Sequence, residues 1–405
     1  MKILEMLGNK SLWEDYYNYK LEKNSTEEDL ISALRNFIDS GAYLEISNSI
    51  KNHVSFSHPK KVCISKSKTS KKRVVYTFAD RESFALKFIT HQLKRYDGLF
   101  APNLYSFRKN QTAKTAWDDV LRIKNLKHKY VYKVDISSYF NSVDPEKILP
   151  DLKQALSDNL ELYQFLEQLL LDPYAEHNGT IIEENKGILP GAPVSAFFAN
   201  LYLAELDHYF HDNRIPYMRY SDDIIVFADQ EQIIQNYIIT IKNFLSQKGL
   251  KVNTEKEILT PPGEKWEFLG FSYHNGTIDI GDVAMKKLKA KMRRKSRALL
   301  RWVEKKNLPR EYAAKAFVKR FNAKLYENPV HNELTWTRWF FPTINTDKSL
   351  KQIDMYMQDC VRFLATGKRN KGRYNFTYDN IKALGYRNLV NEYYKYKELL
   401  KEFKD

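Results

Sequence analysis

Two periodicities organise the chain. In residues 27–40, Leu30, Ile31, Leu34, Phe37 and Ile38 recur at helical spacing, with Ser25 or Thr26 placed as a cap and Glu27 and Glu28 in the first turn. The same period predicts helices over residues 80–96, a pair over 145–171 and one over 231–248. A further helix over 194–210 carries Phe198, Leu201, Tyr202, Leu206 and Tyr209 on one side. Short β-branched and aromatic runs predict strands: a hairpin from 62–65 and 73–78, a strand over 130–136, two strands around a polar turn in 216–227, and one over 250–259. Residues 281–405 read as mostly helical. With no internal repeat, low-complexity tract or Gly/Ser linker, these elements predict packed lobes rather than beads on a string. A length of 405 residues suggests about two to four of them.

Composition narrows the class. Apolar residues make up 43% and aromatics 14%, enough to build a core, which excludes a disordered tail protein. The only cysteines, Cys63 and Cys360, are too few and too far apart for a disulfide scaffold or a zinc array. No apolar run approaches the length of a membrane span, and the first residues do not read as a signal peptide, so a reducing, cytoplasmic setting is expected.

The charge is uneven. Lys and Arg exceed Asp and Glu by 15, and residues 281–330 hold sixteen basic against four acidic residues. Within them, residues 284–301 read as a helix with an apolar stripe of Leu288, Met292, Leu299 and Leu300 and a basic outer face. A second tract, residues 51–73, has eight basic residues and no acid. Either tract alone is compatible with a solvated surface. Together they suit a protein that holds a polyanion, and nucleic acid fits better than a membrane surface because neither tract has an insertion face.

The sharpest chemistry is Tyr220-Ser221-Asp222-Asp223, two adjacent acids inside an otherwise apolar hairpin. Turn chemistry favours Asp, so the pair alone is compatible with an ordinary β-turn. Asp135, at the end of the strand over 130–136, supplies a third acid, which read alone could be a helix cap. Three carboxylates at strand ends and turns are what a site for two Mg²⁺ ions requires, with Mn²⁺ as an acceptable substitute. Such a pair of ions serves in-line phosphoryl displacement.

At this point the chain resembles the bacterial, non-retroviral reverse transcriptases, over roughly residues 62–271. Lys72 and Arg73 followed by Asp80 and Arg81 are similar to the family's fingers motif. Tyr105-Ser106-Phe107-Arg108 resembles the next block. Val134-Asp135 through Phe140 matches the first palm motif, and Gly187 through Ser195 with Ala199-Asn200 the second. Tyr220 through Asp223 matches the catalytic motif, Gly249 through Lys256 the fourth, and Phe268-Leu269-Gly270-Phe271 the primer grip. Seven motifs in family order make the resemblance specific.

The resemblance implies an α+β right-hand polymerase with an antiparallel palm sheet. An N-terminal helical extension would occupy residues 1–50, fingers 51–125, palm 126–280 with a fingers insertion around 145–180, and a helical thumb and RNA-binding region 281–405. It implies that Asp135, Asp222 and Asp223 hold the metals and that Arg73 and Lys66, or Lys68, contact the incoming nucleotide. Phe140 would be a bulky gate beneath the sugar favouring dNTP over rNTP, unless it is a core aromatic. Lys256 is either a proton donor to the departing pyrophosphate or a surface lysine. Phe268, Leu269 and Gly270 would grip the primer. Arg108, which would hold template or fingers geometry, and Lys289, Arg293 and Arg297 on the basic helix are candidate nucleic-acid contacts. Residues 336–342 and 367–374 mix aromatics with cations, a combination that binds single-stranded RNA or builds a helical core.

The implied activity is RNA-directed DNA synthesis from dNTPs, yielding cDNA on an RNA template, with no membrane partner. Two departures from family patterns stand out. Pro190 replaces the usual Gln of the second palm motif and has neither a side-chain amide nor a backbone N–H. Ser221 replaces the Ala more usual in retron enzymes. The chain looks most like the stand-alone enzymes of anti-phage defence that work with a cognate non-coding RNA. The alternatives are a retron or group II intron-type enzyme of a mobile element, template-independent or protein-primed synthesis, and a non-catalytic RNA-binding factor.

Overall fold

A computed structural model describes residues 1–23, 28–65, 72–326 and 335–402. Ser25, Thr26, Glu27, Lys66 and Lys68 lie outside the described residues. The chain divides into two compact units, Met1–Pro262 and Gly263–Asp405. Its class is α+β, as the resemblance implied.

Among the described residues, eleven strands form three sheets: β1 (Lys60–Ser65), β2 (Lys72–Thr77), β3 (Tyr130–Asp135), β4 (Tyr174–His177), β5 (Thr180–Glu183), β6 (Tyr217–Tyr220), β7 (Asp223–Ala228), β8 (Ile258–Thr260), β9 (Trp266–Phe268), β10 (Phe271–His274) and β11 (Thr277–Ile280). In the first unit, β6-β7-β3-β8 form an antiparallel sheet with β3 and β7 at its centre. Val131, Tyr132, Val134 and the run Ile224–Phe227 are buried, as central strands covered on both faces require. Helix Glu231–Gln247 packs on β3 and β7, burying Ile234, Ile238, Ile241 and Leu245.

A second sheet, β2-β1-β4-β5, joins the predicted hairpin to a second hairpin that the sequence reading missed. The joint is a single parallel step, Lys60 against Glu176. Behind it Lys61 pairs with Glu184, which also accepts a 2.9 Å hydrogen bond from the Tyr76 hydroxyl. Among the described residues up to Lys51 there are four helices, and Trp13 stacks on Phe88 of helix Asp80–Gln92 at 4.3 Å. The N-terminal helices therefore share one core with the elements that follow.

Two predicted elements differ. The helix over 194–210 breaks at Leu203 into Ser195–Tyr202 and Ala204–Asp212. The strand over 250–259 is interrupted by a 3₁₀ turn, Thr254–Lys256, whose start is capped by the Asn253 side chain accepting from the Glu255 N–H at 3.2 Å. Only β8 remains, plus a bridge from Val252 to Ile136. A local side-chain acceptor outcompetes strand pairing there.

The second unit begins with the meander β9-β10-β11 and continues as helices. The long basic helix, Asp282–Lys306, buries Met285, Leu288, Met292, Leu299 and Val303. That stripe packs on helices Arg310–Leu325 and Lys348–Thr366. Asp354 is buried there and accepts from the Tyr386 hydroxyl and the Leu389 and Val390 N–H groups, which fixes the start of the last helix, Leu389–Glu402. Among the described residues, no helix is long and apolar enough to cross a membrane.

Candidate active site

Asp135 ends β3 and Asp223 begins β7, and the two are direct partners in the antiparallel ladder. Opposed residues in such a pair project to the same face. Asp222 lies in the two-residue turn between β6 and β7, and its carbonyl accepts the Ile136 N–H at 3.1 Å. One end of the central strand pair thus gathers acids 87 residues apart in the chain.

The segment before β8 closes the other side. The Asn253 N–H donates to the Asp135 carbonyl at 2.7 Å, and its side-chain amide donates to Asp135 Oδ2 at 3.4 Å. Lys256 Nζ donates to Asp135 Oδ1 at 2.7 Å. Burial pulls the Lys256 amine down, but the Asp135 carboxylate overcomes it, so the net shift is upward and the amine is held protonated. Burial, then the charges of Asp135 and Asp223, push Asp222 up to about 6. A carboxylate crowded in this way favours a cation, and three hard oxygen donors suit a divalent one. Among the described residues no three His, Cys, Asp or Glu side chains converge closely enough to enclose an ion unaided. Water and phosphate oxygens would have to complete its shell.

Beneath the turn lies a buried polar network that sequence reasoning missed. Arg219 and Asp207 are both fully buried. Arg219 Nε donates to Asp207 Oδ1 at 2.8 Å and Nη2 to Oδ2 at 2.5 Å. Its remaining donors reach the carbonyls of Asn200 at 3.1 Å, Ser221 at 3.2 Å and Ala199 at 3.5 Å. All five guanidinium N–H groups are thereby used, the condition for burying the charge. Tyr217 donates its hydroxyl to Asp207 at 3.0 Å, and Asn103 donates to the Asp207 carbonyl at 2.9 Å. Ser106 Oγ accepts the Ser221 N–H at 2.8 Å, and Asn200 Nδ2 donates to the Ser106 carbonyl at 2.9 Å. Ser221 has φ 60°, a region where serine is uncommon, and these bonds hold it there. The sequence signal was an Arg inside the short, otherwise uncharged strand that leads into the acidic turn.

Phe140 is half-buried, whereas Tyr139 turns fully inward and donates its hydroxyl to the Ala199 carbonyl at 2.6 Å. The Phe140 carbonyl accepts the Ile188 N–H at 2.9 Å, and Gly187 sits against it with φ 55°. A Cβ at Gly187 would fall 2.2 Å from that oxygen. Glycine at this position therefore follows from a close backbone approach. Pro190 contributes its carbonyl, accepting the Tyr76 N–H of β2 at 2.7 Å. Arg73 is exposed on β2.

Arg108 does not stand as a free nucleic-acid contact. Its side chain is 8% exposed, forks onto Asp97 at 3.0 Å through Nε and Nη2, and donates to the Ala101 carbonyl at 2.6 Å. Its donors are taken by the protein, so it shapes the loop instead. In the second unit, Phe268, Leu269 and Gly270 form a tight hairpin. Phe268 is buried, while Leu269 (φ 50°) and Gly270 (φ 85°) make its two-residue turn. Lys289, Arg293 and Arg297 lie one helical turn apart around Tyr356, and Lys289 Nζ is 5.8 Å from that ring's centre. Arg293 and Arg297 are exposed and share a cavity of about 410 Å³ with Phe363, Lys368, Arg369 and Arg373. The other aromatic tract is core: Phe340 and Phe341 are buried against Phe271 and Tyr393.

The retron Ec83 reverse transcriptase of Escherichia coli is 27% identical over 165 residues, 38% of this chain and 50% of that protein. The chain thus spans about half the length of this curated relative. A solved structure of apo telomerase from Candida tropicalis, truncated from its C-terminal domain, is similar over 56% of this chain and 55% of that one, with a TM-score of 0.47 and 12% identity. Residues 59–273, more than half of the chain and all of the carboxylate site, match the family described as reverse transcriptase (RNA-dependent DNA polymerase), and the chain belongs to that family.

Proposed function

We propose that the protein is an RNA-directed DNA polymerase that makes cDNA from dNTPs on a cognate non-coding RNA, in bacterial anti-phage defence. The observation that carries the polymerase reading is the pairing of Asp135 with Asp223 beside Asp222 at one end of the central strands. Two Mg²⁺ ions held by these carboxylates would activate the primer 3′-hydroxyl and offset charge on the pyrophosphate leaving group. The Arg219–Asp207 network holds the turn, so the carboxylates need not reorganise when the phosphates arrive. Lys256, kept protonated beside Asp135, holds a proton where the leaving group departs. Phe140 excludes a 2′-hydroxyl, and Arg73 and Lys66 meet the triphosphate.

In this reading residues 51–125 are fingers, 126–280 palm and 281–405 thumb. The primer grip is Phe268-Leu269-Gly270, and Lys289, Arg293 and Arg297 contact phosphates without reading sequence. The likeness to a retron enzyme favours a second reading, a retron-type enzyme of a mobile element.

The test is to purify the protein from its native locus and sequence the nucleic acid that accompanies it, beside Asp222→Asn/Asp223→Asn. One abundant RNA in both samples, with complementary DNA only in the wild type, is the expected result. DNA without complementary RNA would replace templated with untemplated synthesis. RNA alone in both would favour a binding factor. Genomic neighbours of the locus would separate the defence reading from the retron reading.

A further inference from the structure

Packing alone does not account for the conformation of Phe107. Its φ is 58°, a left-handed conformation that a bulky residue rarely adopts. Its side chain is not buried in return: the residue is 54% exposed. Asn or Gly would occupy this backbone more comfortably. Both neighbours are pinned, so the conformation is imposed. Ser106 is fully buried, with its hydroxyl accepting from the Ser221 N–H of the carboxylate turn. Arg108 is forked onto Asp97. Phe107 therefore stands one residue from an atom bonded to that turn. Its ring lies 6.4 Å from the Phe140 ring, nearly perpendicular at 86°.

We propose that Phe107 is a nucleobase-stacking residue of the active site. The ligand class follows from chemistry. The ring carries no charge for a phosphate and no hydrogen bond for a sugar, but it offers a π-face, which every base can stack on. The proposal deepens the polymerase reading and rests on it for location. The base comes either from the template–primer or from the incoming nucleotide. Arg108, the neighbour whose sequence suggested contact, is the anchor that presents the ring.

The test uses the full chain and a primer–template carrying 2-aminopurine at the templating position, or 2-aminopurine deoxynucleoside triphosphate with an ordinary template. Stacking on Phe107 quenches the fluorophore, so wild type and Phe107→Tyr should quench and Phe107→Leu and Phe107→Asn should not. The arm that shows the difference names the source of the base. The corresponding KM should rise about ten- to a hundredfold in the Leu and Asn variants, the scale of one lost stack, with kcat less affected. Phe107→Asn should melt no lower than wild type, because Asn tolerates this backbone. Equal quenching in all four proteins overturns the proposal, even with DNA synthesis intact. A changed dNTP/rNTP ratio with unchanged quenching also overturns it, making Phe107 a prop for Phe140. The expected quenching pattern in a protein that synthesises no DNA would uphold stacking and remove the polymerase reading.

Discussion

Replacing Asp207 by Asn strips the counter-charge from Arg219 while keeping the shape. Both residues are 0% exposed, and two of the guanidinium's five N–H groups point at the lost carboxylate. Leaving one partner of such a pair charged in the interior costs about 3–5 kcal/mol. For a unit of this size each kcal/mol lowers Tm by about 2–4 °C, so the melting temperature should fall by about 6–20 °C. Circular dichroism or differential scanning fluorimetry reads the shift, and primer extension below the transition reads the turn. The double change Asp207→Leu with Arg219→Met should recover much of the stability, because a well-packed apolar pair can substitute for a buried ion pair. It should not recover synthesis, because the Ser221 and Asn200 carbonyls lose their donors. A Tm for Asp207→Asn within about 2 °C of wild type would refute the reasoning. So would a double variant that polymerises normally.

Asp222 titrates higher in the folded state than its ordinary carboxylate value, near 6. Folding therefore favours its protonated form, and the stability it contributes is present below the unfolded value near 4 and lost as pH rises through 6. Asp222→Asn, assayed without divalent cations, should melt above wild type at pH 7–8, and the gain should vanish toward pH 4. Added Mg²⁺ should raise the wild-type Tm and leave that of Asp222→Asn/Asp223→Asn unmoved. Phe140→Ala should raise rNTP incorporation relative to dNTP by about tenfold or more, read by competitive primer extension. An unchanged ratio would remove the gate. Charge reversal at Lys289, Arg293 and Arg297 should flatten the salt dependence of single-strand binding by about two in log–log slope. Identical slopes would take that helix face out of the nucleic-acid track.

Much of the site was legible because its chemistry is local in the chain. The Tyr220–Asp223 motif and the strand ending in Asp135 are short runs whose residue types announce themselves. The long basic helix was legible for the same reason, since its apolar stripe at Leu288, Met292 and Leu299 repeats at helical spacing. The β4–β5 hairpin was missed because its strands are four residues each and largely exposed, leaving no apolar run. Residues 250–259 misled because an apolar pattern conceals the cap made by Asn253.

The amino-acid sequence by itself held the order of the motifs and the three acids, and through them the family resemblance; it also placed most helices and strands, because helix period, strand alternation and turn chemistry act between near neighbours. Tertiary structure decided what lies between distant residues. It pairs Asp135 with Asp223, directs Lys256 onto Asp135 and buries Arg219 on Asp207. It also turns Arg108 inward and leaves Phe107 outside. Which member of such a pair faces solvent depends on where the chain's other donors and acceptors come to rest, and on the cost of burying a charge without them.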